Sequence, residues 1–301
     1  MALTVKVYGG PEDAADGFEQ HWRNGMLQVH LLSDVGKKRS RNQDYCVLCA
    51  PPDPHDGVLC AVADGMGGVN GGEYASRLAM ETLAEAYYLS TYPPVPERLA
   101  YAVQLGNRRI YSAAAANPEF HGMGTTVSAL AVKNNHCYLA QVGDSRVYIA
   151  RRGHPVRQLT EDHSLVAEQV RSGYLSEAEA RNHAMKNLIT RAVGTRETVD
   201  VDLFHLRIQR DDIFVICSDG LSNVVDEAGI DEALALPSLK GAARRLVGSA
   251  LEAGGPDNIT VALIQVSGDP PRGHAEEGAA ELRPFARGFR GLLRRALPRP
   301  K

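Results

Sequence analysis

Apolar positions in this chain come in short blocks, and most blocks stop at glycine, serine or an acid. The densest is Val58-Leu59-Cys60-Ala61-Val62-Ala63, which shows no alternation and predicts a strand buried on both faces. It runs straight into Asp64-Gly65-Met66-Gly67-Gly68 and then into Val69-Asn70-Gly71-Gly72-Glu73. Beyond that turn Ala75, Leu78, Ala79, Leu83 and Ala86 recur at helical spacing, predicting a helix over 73–89. Pro93-Pro94 stops it, and a second helix is predicted from about Glu97 to Ala116. Further strands are predicted at Leu27–Leu31, Tyr45–Leu48, Val127–Val132, His136–Val142, Val201–Arg207, Ile213–Cys217 and Ile259–Val266. Val147–Ala150 and Val156–Leu159 read as a hairpin around Arg152-Gly153, and a late helix surrounds Arg244–Leu251.

Three regions depart from this pattern. Residues 1–25 show no period and are broken by Gly-Gly-Pro and Asp-Gly, so an irregular arm is expected. Within the domain expected over 26–267, residues 160–195 change character. Thr160-Glu161-Asp162-His163 reads as a helix start, and the short helical patterns beyond it carry many charges and few large apolar groups. Such a stretch suits a mobile flap better than a core. Residues 268–281 read as a linker, after which Leu282, Phe285, Phe289, Leu292 and Ala296 share one helical face and Arg283, Arg287, Arg290 and Arg294 the other. A basic amphipathic helix over 282–297 is therefore expected, able to meet an anionic membrane or an acidic partner.

Strands in antiparallel-looking runs, helices in pairs and no internal repeat point away from a doubly wound sheet. The expected fold class is α+β, with two central sheets and helices outside them.

Composition adds a few exclusions. With 301 residues, 44% apolar, the chain can bury a full core. It has no run of 18 apolar residues, and MALTVKVYGGPEDAADGFEQ lacks the pattern of a secretory signal. Five cysteines, mostly inside apolar runs, favour reduced thiols and a cytoplasmic setting. Cys46 and Cys49 form a lone CxxC with no second pair, which makes zinc a poor reading. The net charge is −3, but residues 268–301 hold four acids and eight bases, so the rest carries −7. An acidic body argues against nucleic acid as partner.

Where those carboxylates sit is informative. Asp44, Asp64, Asp144, Asp219 and Asp257 each lie at a strand–loop junction beside Gly, Ser or Asn. A single aspartate in such a place is usually a turn or cap residue; five in one pattern suggest a shared task. Mg²⁺ and Mn²⁺ prefer carboxylate oxygen and water, and clusters of His or Cys are absent. Two such ions suit in-line displacement at phosphorus. The loop Lys37-Lys38-Arg39-Ser40-Arg41-Asn42-Gln43-Asp44 places four cations in five residues just before a strand, where a pinned arginine suits phosphate.

At this point the chain resembles the bacterial type 2C metal-dependent serine/threonine protein phosphatases. The motifs are Ser33-Asp34-x-Gly36-x-x-Arg39-x-x-Asn42-Gln43-Asp44, Asp64-Gly65-Met66-Gly67-Gly68, Gly122-Met123-Gly124-Thr125-Thr126, Gly143-Asp144-Ser145-Arg146, Ser218-Asp219-Gly220 and Gly255-Pro256-Asp257-Asn258. They occur in family order over about 27–267. The resemblance implies a four-layer αββα sandwich of two antiparallel sheets flanked by helix pairs, with a helical flap at 160–195. It implies two core ions, Mn²⁺ or Mg²⁺, and a weaker third. Asp64 would bridge two ions and Gly65 would add its carbonyl. Asp219 and Asp257 would complete the first site, Asp44 the second, and Asp144, with Asp162 nearby, the third. Arg39 would grip the phosphate, and a metal-bridging hydroxide would attack phosphorus directly, with Asp64 and Arg39 as catalytic residues.

Two departures stand out. Eukaryotic relatives carry histidine where this chain has Met66, so the proton for the leaving oxygen is expected from a metal-bound water. Many bacterial relatives have histidine where this chain has Val69. His163 and His183, inside the flap, read as surface or capping residues. The expected substrates are phosphorylated proteins, and the expected role is to oppose a bacterial Ser/Thr kinase as a monomer in the cytoplasm, the basic tail allowing contact with the inner membrane face. A small regulator such as an anti-sigma antagonist is a related substrate reading. A binding module that has lost its chemistry is a different one, and missing aspartates would be its mark.

Overall fold

The computed structural model describes residues 4–9, 17–51, 57–68, 71–89, 94–270 and 283–284. Its strands are β1 (Thr4–Gly9), β2 (Gly17–Arg23), β3 (Leu27–Asp34), β4 (Asp44–Ala50), β5 (Val58–Met66), β6 (Gly124–Thr125), β7 (Val127–Lys133), β8 (His136–Val142), β9 (Arg146–Ala150), β10 (Arg157–Gln158), β11 (Asp202–Arg207), β12 (Ile213–Cys217), β13 (Ile259–Val266) and β14 (Arg283–Pro284). Its helices are α1 (Gly71–Leu89), α2 (Val95–Ala116), α3 (Leu165–Arg171), α4 (Glu177–Arg181), α5 (Asp219–Ser222), α6 (Glu227–Leu234) and α7 (Leu239–Glu252).

Two antiparallel sheets face each other. One runs β1-β4-β5-β7-β8-β11-β14, with β6 on the end of β5, and the other runs β10-β9-β12-β13-β3-β2. The alternation of side chains along each strand splits the apolar residues into three cores. Cys60 and Val62 of β5 point between the sheets with Cys46 and Leu48 of β4, and meet Val29, Phe214 and Ile264 from the other side. Leu59, Ala61 and Ala63 point the opposite way, onto Met80, Leu83, Leu99 and Ile110 of α1 and α2. On the far side, Val215, Val261 and Leu263 pack against Ile230, Leu246 and Val247 of α6 and α7. Central strands thus have apolar groups on both faces, which is why 58–63 reads as an unbroken apolar run. The expected αββα architecture is present.

The pairing also sets where the ends of strands fall. Asp44 faces Asp64 in register, Val127 faces Val142, Cys217 faces Arg146, and Ile259 faces Asp34. These antiparallel pairs put the five junction aspartates at one mouth of the sandwich.

Several expectations need correction. The 1–25 arm is not irregular: β1 pairs with β4 and β2 with β3, adding an edge strand to each sheet. Tyr8 stacks on Phe18 at 5.4 Å, and both pack against the core between the sheets. Two short strands beside Gly-Gly-Pro gave too little alternation to read. Helix α3 starts after Ser164, whose hydroxyl caps it, not at Thr160. Helix α6 is an element the apolar spacing does not mark, and α7 is longer than Arg244–Leu251. Arg283 and Pro284, placed on the predicted tail helix, pair instead with His205 and Phe204 as a short edge strand. A residue before proline avoids the helical region, and proline, which has no N–H, is tolerated at an edge. The remainder of the 282–297 prediction lies outside the described residues. Among the described residues no helix is long and apolar enough to cross a membrane.

Candidate metal centre

Each carboxylate at the mouth is delivered by backbone that has little freedom. A Cβ on Gly65 would run into the Gly72 carbonyl oxygen, and one on Gly220 into the Asn258 carbonyl oxygen, so both motifs need glycine for close approach. The Gly65 N–H donates to the Gln43 carbonyl at 3.2 Å, tying the turn after Asp64 to the residue before Asp44. Asp64 is fixed by the threonine pair: its N–H donates to Thr126 Oγ1 at 2.9 Å, and its carbonyl accepts from Thr126 N–H and from Thr125 Oγ1. That explains the position of the Gly122–Thr126 motif.

The basic loop is pinned by Asn258. Its Nδ2 donates to the Val35 and Arg41 carbonyls, both at 2.9 Å, and its Oδ1 accepts from the Gln43 N–H. Arg39 thereby reaches the carboxylates, where Nη2 donates to Asp257 Oδ2 at 2.8 Å while the side chain stays half exposed. The two sheets are joined at the same level. Ser218 Oγ donates to Asp44 Oδ2 at 2.6 Å and accepts from the Thr260 N–H at 3.0 Å. Sequence reasoning gave Ser218, Thr126 and Asn258 no role; each makes a contact across sheets or loops that only the fold reveals.

The electrostatics are those of acids in want of a cation. Burial raises the pKa of Asp44 against hydrogen bonds from Ser218 and Thr260, and Asp219 and Asp257 push it further. Asp64 is raised by burial and then by Asp44, Asp219, Asp144 and Asp257. Asp219 is raised by burial and by Asp257, while a hydrogen bond with Asp64 and one from Asn223 pull it back. Like charges at this spacing are costly without a counter-ion. Asp44 Oδ1, Asp219 Oδ1 and Asp144 Oδ1 are all buried with no hydrogen-bond partner among the described residues. An oxygen-only donor set with orphaned carboxylate oxygens fits a hard divalent ion. Among the described residues no three His, Cys, Asp or Glu side chains converge closely enough to hold an ion by themselves. An ion here would therefore need the carboxylates to close on it as it binds, with main-chain oxygen and water filling the rest of its shell.

Asp144 stands slightly apart. Burial raises it, with Asp219 and Asp162 adding to the effect. The expectation that Asp162 would help it hold a third ion is not met in this arrangement. Both Asp162 oxygens are taken by Arg146, at 2.7 to 3.0 Å, and Gln158 Nε2 adds a further bond at 2.8 Å. His163 is not a surface residue: it is 3% exposed, and its ring Nδ1 accepts from the Gly143 N–H at 3.0 Å. His183 does cap locally, its Nδ1 accepting from the Met185 N–H. Met66 lies opposite Gly124 on β6, and Val69 lies outside the described residues. Cys46 and Cys49 form no disulfide, are buried and lie on opposite faces of β4, so they cannot share a metal.

Beside the mouth lies a cleft of about 940 Å³, walled by the flap helices on one side and by residues 222–232 on the other, with Asp144 and Asp219 among its lining. Of the five carboxylates, Asp144 and Asp219 border it.

Comparison with known proteins agrees with this geometry. The model of the family described as Protein phosphatase 2C matches residues 36–247. The chain is 38% identical over 244 residues to the serine/threonine phosphatase stp of Listeria monocytogenes, covering 79% of this chain and 96% of that one. The crystal structure of the Mycobacterium tuberculosis serine/threonine phosphatase PstP/Ppp superposes with TM-score 0.73 at 36% identity, over 80% of this chain and 99% of that one. A structure of the PstP catalytic domain in complex with two manganese ions gives 0.71 at 36% identity, with coverages of 80% and 99%.

Proposed function

The chain belongs to the protein phosphatase 2C family, and from that premise we propose how it works. It is a metal-dependent protein serine/threonine phosphatase that hydrolyses phosphoserine and phosphothreonine in proteins. In our reading it reverses a bacterial Ser/Thr kinase. The observation that carries the site assignment is the set of orphaned carboxylate oxygens on Asp44, Asp144 and Asp219 beside Asp64 and Asp257.

Asp64, with the Gly65 carbonyl, Asp219 and Asp257, would hold one ion, and Asp64 and Asp44 the other. Asp144 would hold a third, weaker one. Mn²⁺ is the ion bound in one solved relative, the PstP catalytic domain, with Mg²⁺ as the alternative of the same chemistry. Bound ions supply water acidic enough to attack phosphorus at neutral pH and offset charge as the P–O bond breaks. The protein's own part is positioning. Ser218 and Thr260 orient Asp44. The threonine pair fixes Asp64, and Asn258 steadies the loop from which Arg39, already aimed at the carboxylates, can take the phosphate oxygens with its planar fork. No side chain is needed as nucleophile. The open cleft beside the flap gives the flanking peptide somewhere to lie.

The same reading places a monomer in the cytoplasm, the cytoplasmic setting being supported by five buried cysteines that form no disulfide. It also gives the basic residues 282–297 a contact with an anionic membrane or acidic partner, supported by their charge.

The test is Mn²⁺-dependent phosphate release from a phosphothreonine peptide, with Asp219→Asn compared against wild type. Release should fall about 10³-fold in the variant while its circular dichroism is retained. Equal release by a folded variant, or release that ignores chelator, sinks the proposal.

A further inference from the structure

His163 sits in the neck of the flap, and it grips the residue before Asp144 twice. Its own N–H donates to the Gly143 carbonyl at 3.0 Å, and its ring Nδ1 accepts from the Gly143 N–H at 3.0 Å. The peptide groups on both sides of Gly143 are therefore fixed by one residue. Gly143 needs that restraint. It has φ +104°, and a Cβ there would lie 2.6 Å from the Thr126 side chain, so only glycine fits and glycine is loose.

A ring nitrogen that accepts from a backbone N–H leaves the imidazole proton on the other nitrogen. Nε2 accordingly donates to Asp202 Oδ2 at 3.0 Å, and Asp202 Oδ1 accepts from Arg191 Nη1 at 2.7 Å. Burial would raise Asp202, but the bonds from His163 and Arg191 outweigh it and hold the carboxyl at about 2, an ionised acceptor at neutral pH. The backbone closes the same knot. The His163 carbonyl accepts from the Thr190 N–H at 2.8 Å, and the Leu165 N–H donates to the Leu188 carbonyl at 2.9 Å. Residues 164–190 thus leave the body and return to it at His163, and Arg191 fastens the returning strand of chain to β11.

We infer that His163 is a positioning residue that couples the neck of the flap to the turn presenting Asp144, so that the aim of this carboxylate at a divalent ion depends on the neck being closed. The inference rests on the reading of Asp144 as an ion ligand. His163 does not touch substrate: its ring is 3% exposed and its proton is committed to Asp202. Groups that orient a ligand from behind typically change metal affinity 10- to 100-fold when removed.

The experiment uses the full chain and Mn²⁺ alone as probe. Calorimetric titration of Mn²⁺ is compared in wild type, Asp144→Asn, His163→Phe, His163→Asn and the double variant His163→Phe/Asp144→Asn. Phenylalanine keeps the bulk without either bond, whereas asparagine keeps an acceptor near the Nδ1 position. His163→Phe should weaken the weakest Mn²⁺ isotherm about tenfold and leave the tighter ones in place. His163→Asn should recover most of the loss, and His163→Phe should change nothing further in the Asp144→Asn background. Hydrogen exchange supplies a second readout: Mn²⁺ should slow exchange over 164–190 in wild type and not in His163→Phe. If His163→Phe does not fold, Asp202→Asn, at a side chain 32% exposed, takes its place and should weaken the same isotherm.

An isotherm that Asp144→Asn abolishes and these variants leave intact overturns the inference alone. So does an equal loss with and without Asp144, which would make His163 an ordinary core residue. If wild type binds no Mn²⁺ that Asp144→Asn removes, the reading of Asp144 falls and the inference goes with it.

Discussion

The mouth of the sandwich and the flap beside it share Asp144, yet they are held by different means. At the mouth, Asp44 and Asp64 face each other on neighbouring strands in fixed register, and the backbone comes so close at Gly65 and Gly220 that no Cβ fits. In the flap, Val166 is the one buried residue of α3, α4 buries none, and Tyr174 is 82% exposed. Its ties to the body are a handful of bonds, among them Arg171 to the Asp162 carbonyl and those around His163. Geometry that must hold to fractions of an ångström is built from ladders and close backbone contact. A wall that must meet varied substrates is built from caps and exposed side chains.

If that contrast is right, substitutions should grade in effect from mouth to flap tip. The largest effect is expected for Gly65→Ala, whose methyl meets the Gly72 and Gln43 carbonyl oxygens. It should cost about 3 kcal/mol in urea unfolding and reduce turnover at least ~10²-fold. A neutral result would mean the mouth is more pliable than its contacts imply. Ser218→Ala comes next. It strands the Thr260 N–H and removes a donor from Asp44, so a loss of about 2 kcal/mol and roughly tenfold in Mn²⁺ affinity should appear together. Stability lost without any change in affinity would separate the two sheets' junction from the ion site.

Asp202→Asn, at the flap's root, should cost on the order of 1 kcal/mol once solvent screening at a partly exposed side chain is allowed for. The sign in pH follows from its lowered carboxyl. A group held at about 2 against an ordinary 3.8 adds stability that is present above the unfolded value and lost as pH falls through the folded one. The gap in urea midpoint between wild type and variant should therefore be constant near pH 7 and close from about pH 4 towards about pH 2. A gap unchanged at the lower end would trace the effect to packing. Smallest of all, Tyr174→Ser should move stability by no more than ~0.5 kcal/mol and shift KM for a folded phosphoprotein while sparing a short phosphopeptide. Equal effects on both substrates would deny the flap a part in recognition.

The same contrast explains what the chain disclosed before its fold was known. Motifs such as Asp64–Gly68 and Ser218-Asp219-Gly220 are legible because a carboxylate at a strand end and a glycine at a close approach are local demands. The buried runs at 58–63 and 213–217 are legible because both faces of a central strand are covered. Ser218, Thr126 and Asn258 act on partners far away in sequence, and nothing local marks them. His163 misled for the opposite reason. Polar neighbours in the flap suggest an exposed ring, whereas its two nitrogens are spoken for by Gly143 and Asp202. The edge strands β1 and β2 lie among Gly and Asp, and β14 pairs through a proline-containing dipeptide, so their pairing owes more to the neighbouring strand than to their own pattern.

One detail of the sheet order bears on how the enzyme is made. β13 is among the last strands to be synthesised, yet it lies in the interior of its sheet, between β12 and β3. Its hydroxyl at Thr260 meets Ser33 at 2.7 Å across 227 residues of chain. Until residues 259–266 emerge from the ribosome, β3 and β12 each present an open apolar edge with no partner. Asp257 arrives with the same segment. The carboxylate that completes the mouth and the strand that joins β12 to β3 are thus carried by one late segment of the chain, which ties completion of the site to completion of the sheet.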